Sequence, residues 1–190
     1  FAAVTSPTIK GYTPDLAEVP AVDNIAFDSP NIEKTVVYKA NPASAKVTYI
    51  DDTTGETLET KDLNGLYGQT DPYRTAETIK TYTDRNYGLV SDGYPANGVK
   101  YNDKLQTFEV HLKHKKTSVT EEKTVKETIH YTYEGGAPAA PDHTSSLKFT
   151  RTATTDLVTN VTTGDWTAEN GTSFAAVTSP TIKGYTPDLA

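Results

Sequence analysis

The chain has 190 residues, no cysteine, no methionine, and a net charge of -7 from 25 acidic and 18 basic side chains. That balance disfavours nucleic-acid partners. The missing sulfur removes disulfides and oxidation-sensitive residues together, which suits an exposed bacterial surface, and no apolar run is long enough to cross a membrane.

Threonine supplies 33 residues and tyrosine 12, so the composition favours strands and thin cores over helices. The opening seventeen residues, FAAVTSPTIKGYTPDLA at 1–17, return unchanged at 174–190. Identity of that length marks one period of a tandem array, with the start of the next period at its end. A piece from within such an array would carry no leader peptide.

Residues 1–33 are broken by Pro7, Pro14, Pro20 and Pro30. Val4 to Ile9 can hold a short edge strand, Gly11 to Asp15 reads as a turn, and Lys34 to Lys39 as a strand. Pro42 and its small neighbours form the first linker. Residues 45–51, AKVTYID, alternate, with Val47 and Tyr49 on one face. DDTTG turns the chain, and Glu56 to Thr60 returns as the second arm of a hairpin.

Gly65 to Pro72 reads as loop. Thr75, Ile79 and Tyr82 then recur at helical spacing, with Ala76 beside them, predicting a short helix within 73–84. Tyr87 to Val90 is a short strand, and Ser91 to Asn97 a turn-rich link. Lys104 to Lys115 is a closing strand with Phe108, Val110 and Leu112 inward and Thr107, Glu109 and His111 outward. Hairpin, helix, short strand, long strand is the order of a β-grasp.

Residues 116–121 read as a polar hinge. In the second unit Val125, Glu127, Ile129, Tyr131 and Tyr133 share a phase, GGAPAAP at 135–141 reads as a loop outside the sheet, and Ser146 to Thr155 is a second long strand. Leu157 to Thr162 turns the chain, and the repeated opening closes it. That unit lacks the strand that a following copy of Glu18 to Ala40 would supply to it. Residues 1–40 can pack on 44–116, fray, or complete the open sheet of a neighbouring chain.

Chemistry-bearing residues are sparse. His111 and His114 lie three apart on a strand and face opposite ways, so they form no ligand pair. His130 and His143 have no partners at metal spacing, and the four read as exposed histidines. Asp51, Asp52 and Glu56 form the one acidic cluster with any likeness to a calcium loop, without its twelve-residue pattern; solvated carboxylates at a hairpin turn explain it as well. Lys113, His114, Lys115 and Lys116 make a small basic patch, either a solvated strand end or a contact for an acidic glycan. Trp166 is either core or a sugar-stacking platform. Tyr12, Tyr87, Tyr94 and Tyr185 lie near turns, and are either plugs at the ends of small cores or exposed tyrosines that bind with little entropy cost. The triplets at Asn160 and Asn170 match a glycosylation signal by coincidence. No nucleophile–base pair, phosphate loop or dinucleotide fingerprint can be assembled, so the chain is not read as an enzyme and needs no cofactor.

The motifs carry a resemblance. AKVTYIDDTTGETLET, NYGLVSDG and LQTFEVHLKHK within 45–115 resemble the mucin-binding domains of lactobacillar mucus-binding (Mub) repeats. TVKETIHYTYEGG, LKFTRTATTD, GDWTAENGT and FAAVTSPTIKGYTPD within 118–190 resemble the second domain type of those repeats. The family commonly has Gly-Tyr where this chain has Asn86-Tyr87. The resemblance implies a β-rich α+β chain of two tandem β-grasp (ubiquitin-like) units in an elongated arrangement. The expected division is 1–43 as the tail of a preceding second-type unit, 44–117 as a mucin-binding domain, and 118–190 as a second-type domain lacking its last strand. It also implies a Gram-positive wall-anchored, extracellular adhesin that holds mucin glycoproteins through many weak contacts. Immunoglobulin binding at a sheet edge or helix face is the alternative, and a structural spacer in the stalk is another. Neighbouring repeats of the same chain are further partners.

Overall fold

The structure, a computed structural model, describes residues 1–189. It is mostly β, with one short helix, and divides into two compact units, Phe1–Lys115 and Lys116–Ala190. Among the described residues no helix is long and apolar enough to cross a membrane.

The first unit begins with short strands β1 (Val4–Thr5), β2 (Tyr12–Pro14), β3 (Glu18–Val19) and β4 (Tyr38–Ala40). β1 pairs with β3 and β2 with β4, both antiparallel. The stretch Gly11 to Asp15, expected as a turn, is therefore mostly strand: Gly11 alone takes the left-handed conformation (φ 80°) and the chain runs extended after it. The strand expected over Lys34 to Lys39 is confined to its end, because Asp15 bonds the Val37 amide and only the residues after it find a partner.

The main sheet is β5 (Pro42–Asp51), β6 (Glu56–Leu66), β7 (Tyr87–Asp92) and β8 (Gln106–His114), in the order β6-β5-β8-β7. The β5–β6 and β7–β8 pairs are antiparallel, whereas the central β5–β8 pair is parallel. Pro42, expected in a linker, opens β5 instead; the first residue of a strand tolerates a missing N–H. Likewise β6 runs on to Leu66, past the expected start of a loop.

The helix α1 (Ala76–Thr83) lies between β6 and β7. Thr75, Ile79 and Tyr82 face the sheet as their spacing predicts, with Thr75 and Tyr82 buried, but Ala76 is exposed and Thr78 turns inward to the Tyr73 hydroxyl. Thr75 does not cap the helix with its side chain. Its hydroxyl bonds Asp92 of β7 at 2.5 Å and pins the helix start to the sheet.

The core under this helix is built on tyrosine. Tyr49, Tyr82, Tyr87, Tyr94 and Tyr101 are buried beside Val47, Val99, Val110 and Leu112. Tyr82 meets Tyr49 (6.1 Å between centroids) and Tyr87 (5.5 Å), and Tyr94 meets Tyr73 and Phe108 edge-on. Each hydroxyl needs a partner once buried. Tyr49 bonds Tyr73 at 2.7 Å, Tyr101 bonds Asp71, and Tyr82 bonds Glu59. Burial is the largest cause holding the pKa of Tyr49 and Tyr101 well above the ordinary tyrosine range.

The second unit is a long antiparallel ribbon, β9 (Lys116–Thr132) and β10 (Pro138–Asp156), with β11 (Thr162–Thr163) and β12 (Thr167–Ala168) on the outer side of β10. The expected hinge at 116–121 is strand, paired in register from Asp156↔Lys116 to Arg151↔Glu121. The expected loop at 135–141 enters the sheet at Pro138, where register shifts between Pro138 and His143 absorb the prolines. Leu147 and Ala153 are the buried apolar residues of this unit among those described.

Leu112 is fully buried at the centre of the first unit. Leu112→Ala is expected to cost about 2–5 kcal/mol in urea unfolding followed by the tyrosine signals of that unit.

Candidate functional site

The turn between β5 and β6 gathers the acidic cluster and two histidines. Asp51 is buried. One of its oxygens accepts the Thr53 amide at 2.8 Å, and the other accepts the Thr54 hydroxyl and lies 2.8 Å from His114 Nε2. The His114 ring is also buried and stands edge-on to Tyr87, 5.1 Å between centroids. The backbone amide of His114 donates to Thr53 Oγ1 at 2.8 Å, closing the turn onto β8. On the opposite face His111 Nδ1 lies 2.7 Å from Asp52 and Nε2 3.3 Å from Glu109. Two acceptors ask both ring nitrogens to carry protons, so the hydrogen bond to Asp52, against a smaller desolvation effect, raises the His111 pKa above the usual value.

These contacts correct part of the sequence reading. His114 is not exposed and cannot reach a glycan; it is the buried partner of Asp51. Nor is Asp51 a solvated turn carboxylate, since its oxygens are taken up by the turn and by His114. Asp52 is engaged by His111, and Glu56 stays exposed at the start of β6. Among the described residues no three metal-ligand side chains converge. The opposite facing of His111 and His114 does follow their spacing. His130 pairs with Asp142 at 2.9 Å on the surface, and His143 is half-buried.

Of the remaining candidates, Tyr87 and Tyr94 are core residues, 6% and 5% exposed, and are withdrawn from any binding surface by the aromatic packing around them. Lys113 and Lys115 are exposed at the end of β8, while Lys116 begins β9 in the second unit. Trp166 is 42% exposed, so it is not a core residue. Its ring lies 5.0 Å from the Arg151 guanidinium, which is itself fixed by Glu121 at 2.8 Å and reaches the Gly164 carbonyl at 3.5 Å. Gly164 (φ 133°) lets the chain pass here: a Cβ would stand 2.1 Å from the Thr152 carbonyl oxygen. The result is a partly exposed indole with a guanidinium against its ring.

A groove of about 690 Å³ in the second unit is lined by Tyr131, Tyr133, Ala139, Ile182, Tyr185 and Leu189, among others. Tyr133 and Tyr185 meet there at 4.8 Å. Tyr185 was visible in the sequence as a turn tyrosine; its pairing with Tyr133 had no local signal.

Comparison with known proteins places these features. The model of the Muc B2-like domain matches residues 1–42 and 116–190, and that of the mucin binding domain matches 43–114. The chain belongs to the Muc B2-like family. The solved structure described as Mub-RV is similar at 45% identity, with 77% of this chain and 85% of that chain covered and a TM-score of 0.67. The type 2 repeat of the mucus binding protein MUB from Lactobacillus reuteri is similar at 36% identity, covering 76% and 85%, with a TM-score of 0.52. No curated protein sequence matches. As a Muc B2-like repeat the chain is a binding or structural module and not an enzyme.

Two outcomes are expected at the turn. Asp51→Ala breaks a buried pair and should cost about 3–5 kcal/mol, read by urea unfolding. The raised pKa of His111 stabilises the fold fully below about pH 6.5, and that contribution is lost as pH rises through the raised value. The stability difference between wild type and His111→Gln should therefore be larger at pH 5.5 than at pH 8, and a difference independent of pH would contradict it.

Proposed function

We propose that this chain is a repeat of a bacterial surface adhesin that holds mucin glycoproteins through many weak contacts. The mucin binding domain match over 43–114, framed by Muc B2-like segments, carries this reading. Its likeness to two Mub repeats supports it and supports an extracellular position on the cell wall. On this reading residues 1–42 and 116–190 are pieces of second-type domains and 43–114 is the mucin-binding domain. The mixed sheet with a central parallel pair and a helix between its two hairpins supports a β-grasp fold for that domain.

The surface most suited to a sugar is Trp166, whose partly exposed indole offers apolar stacking for a pyranose ring. Arg151 is already paired with Glu121, so it orients the indole more than it draws an anion. Lys113 and Lys115 are exposed basic side chains at the end of β8 and fit the carboxylate of an acidic sugar. Individual sites of this kind are weak, and a tandem array raises their effective concentration.

A second reading, immunoglobulin binding, draws on β7. It is an edge strand with Leu89 and Val90 about half exposed, and such an edge can accept a strand from another protein. Surface-binding measurements with purified mucin and polyclonal immunoglobulin separate the two. Mucin binding is expected to fall on desialylation, and to fall about tenfold, equivalent to about 1.4 kcal/mol, in Trp166→Ala with its thermal melt unchanged. Lys113→Glu with Lys115→Glu should weaken binding to sialylated mucin alone. Binding only to immunoglobulin, unchanged by sugar removal, would replace the first reading with the second.

A further inference from the structure

The duplicated seventeen residues occupy two different settings. In the first copy they are seated. Val4–Thr5 pairs with Glu18–Val19, and Tyr12–Pro14 with Tyr38–Ala40. The Asn41 amide donates to the Gly11 carbonyl at 2.8 Å, and the Thr13 hydroxyl bonds the Asn41 side chain at 2.6 Å. The Tyr12 ring stands edge-on to Tyr67, 5.7 Å between centroids, and Lys10 reaches Asp103 at 3.3 Å. Gly11 lies so close that a Cβ there would be 2.3 Å from the Tyr67 ring. Tyr67 and Asp103 belong to the mucin binding domain.

The second copy has the same local shape without the seat. The Ser179 hydroxyl bonds the Leu189 carbonyl at 2.6 Å, as Ser6 bonds Leu16. The Tyr185 amide bonds the Ile182 carbonyl at 3.1 Å, as Tyr12 bonds Ile9. Gly184 holds φ 83°, against 80° at Gly11. Among the described residues this copy forms no strand, and a Cβ on Gly184 would meet nothing within 4 Å. Tyr185 is 63% exposed, whereas Tyr12 is 37% exposed. What the second copy does have is Tyr133, packed against Tyr185 from its own unit.

We propose that Phe174–Leu189 is a preformed docking surface for a second copy of this chain following in tandem. Residues 18–40 of that copy add the pairings that β3 and β4 give the first. The following mucin binding domain sets its Tyr67 over Gly184 and against Tyr185, and its Asp103 meets Lys183. Tyr185 is then held by Tyr133 on one side and by Tyr67 of the next copy on the other. One tyrosine thus couples each second unit to the next mucin binding domain and fixes their relative orientation. The contact joins unlike surfaces, so it propagates as an open array. This assembly is independent of the ligand the repeat holds.

The test uses a chain of two copies in the natural period, residues 1–190 followed by 18–190, with residual dipolar couplings measured by NMR. The first copy's residues 116–189 and the second copy's 43–114 should share one alignment tensor. Gly184→Ala in the first copy should separate the tensors. In the one-copy chain the same change meets only backbone strain, so its shift in the melting of 116–189 should be less than half of that in the two-copy chain. Separate tensors in the unmodified two-copy chain, or equal melting shifts in the two chains, would overturn the proposal.

Discussion

The first unit depends on a parallel pair of strands, β5 and β8, at the centre of its sheet. Parallel neighbours cannot be joined by a tight turn, so the chain must cross over between them. Here the crossover carries α1 and β7, and the helix is short and rich in threonine, a poor helix alone. It is held by what it lies on: Thr75 tied to Asp92, and Tyr82 wedged between Tyr49 and Tyr87. Tyrosine suits this position because each ring buries large apolar area while its hydroxyl finds a partner at the rim. The chain thereby builds a core with few large aliphatic side chains.

The second unit solves the opposite problem with almost no core. Its two long strands are held by a ladder that runs in register from His143 to Asp156 and by pairs across it. Arg151 meets Glu121, Lys148 meets Glu122, and the hydroxyls of Ser118 and Thr154 bond at 2.8 Å. Exposed pairs of this kind each contribute little. Their number and the backbone ladder must carry a ribbon whose faces are largely wet. β11 and β12 widen it on one side, and Gly164 allows the approach between them.

That difference explains what the sequence could disclose. In β5 and β8 a buried face alternates with an open one, so the period of two is written in Val47, Tyr49, Val110 and Leu112, and the opposite facing of His111 and His114 follows from it. Residues 116–121 carry no such face, since their one apolar residue, Val119, is exposed among polar neighbours, and pattern alone reads them as a hinge. Their strand character comes from the partner strand in register, which has no local signature. Pro138 and Pro141 misled for a related reason: they sit where register shifts remove the demand for paired amides. Asn86 is a case where a departure from the family pattern is explained. The backbone there is left-handed (φ 68°), a conformation glycine adopts freely and asparagine tolerates better than most residues.

The candidate site was legible where exposure alone decides and hidden where burial does. Lys113 and Lys115 follow from alternation on β8, and the exposed Trp166 fits one of its two sequence readings. Asp51 and His114 read as polar, solvent-facing residues, yet the pair closes a turn against the sheet, where Tyr87 covers it. A buried acid and imidazole can satisfy one another only because β5 ends beside β8, a neighbourhood set by the parallel pairing and not by either local sequence. The same dependence separates the two identical seventeen-residue segments. Their local turns agree, but only the first has β3, β4 and Tyr67 beside it. Equal sequence fixes equal local geometry, whereas the partial cover of Tyr12 and the greater exposure of Tyr185 are set by what each segment is placed against.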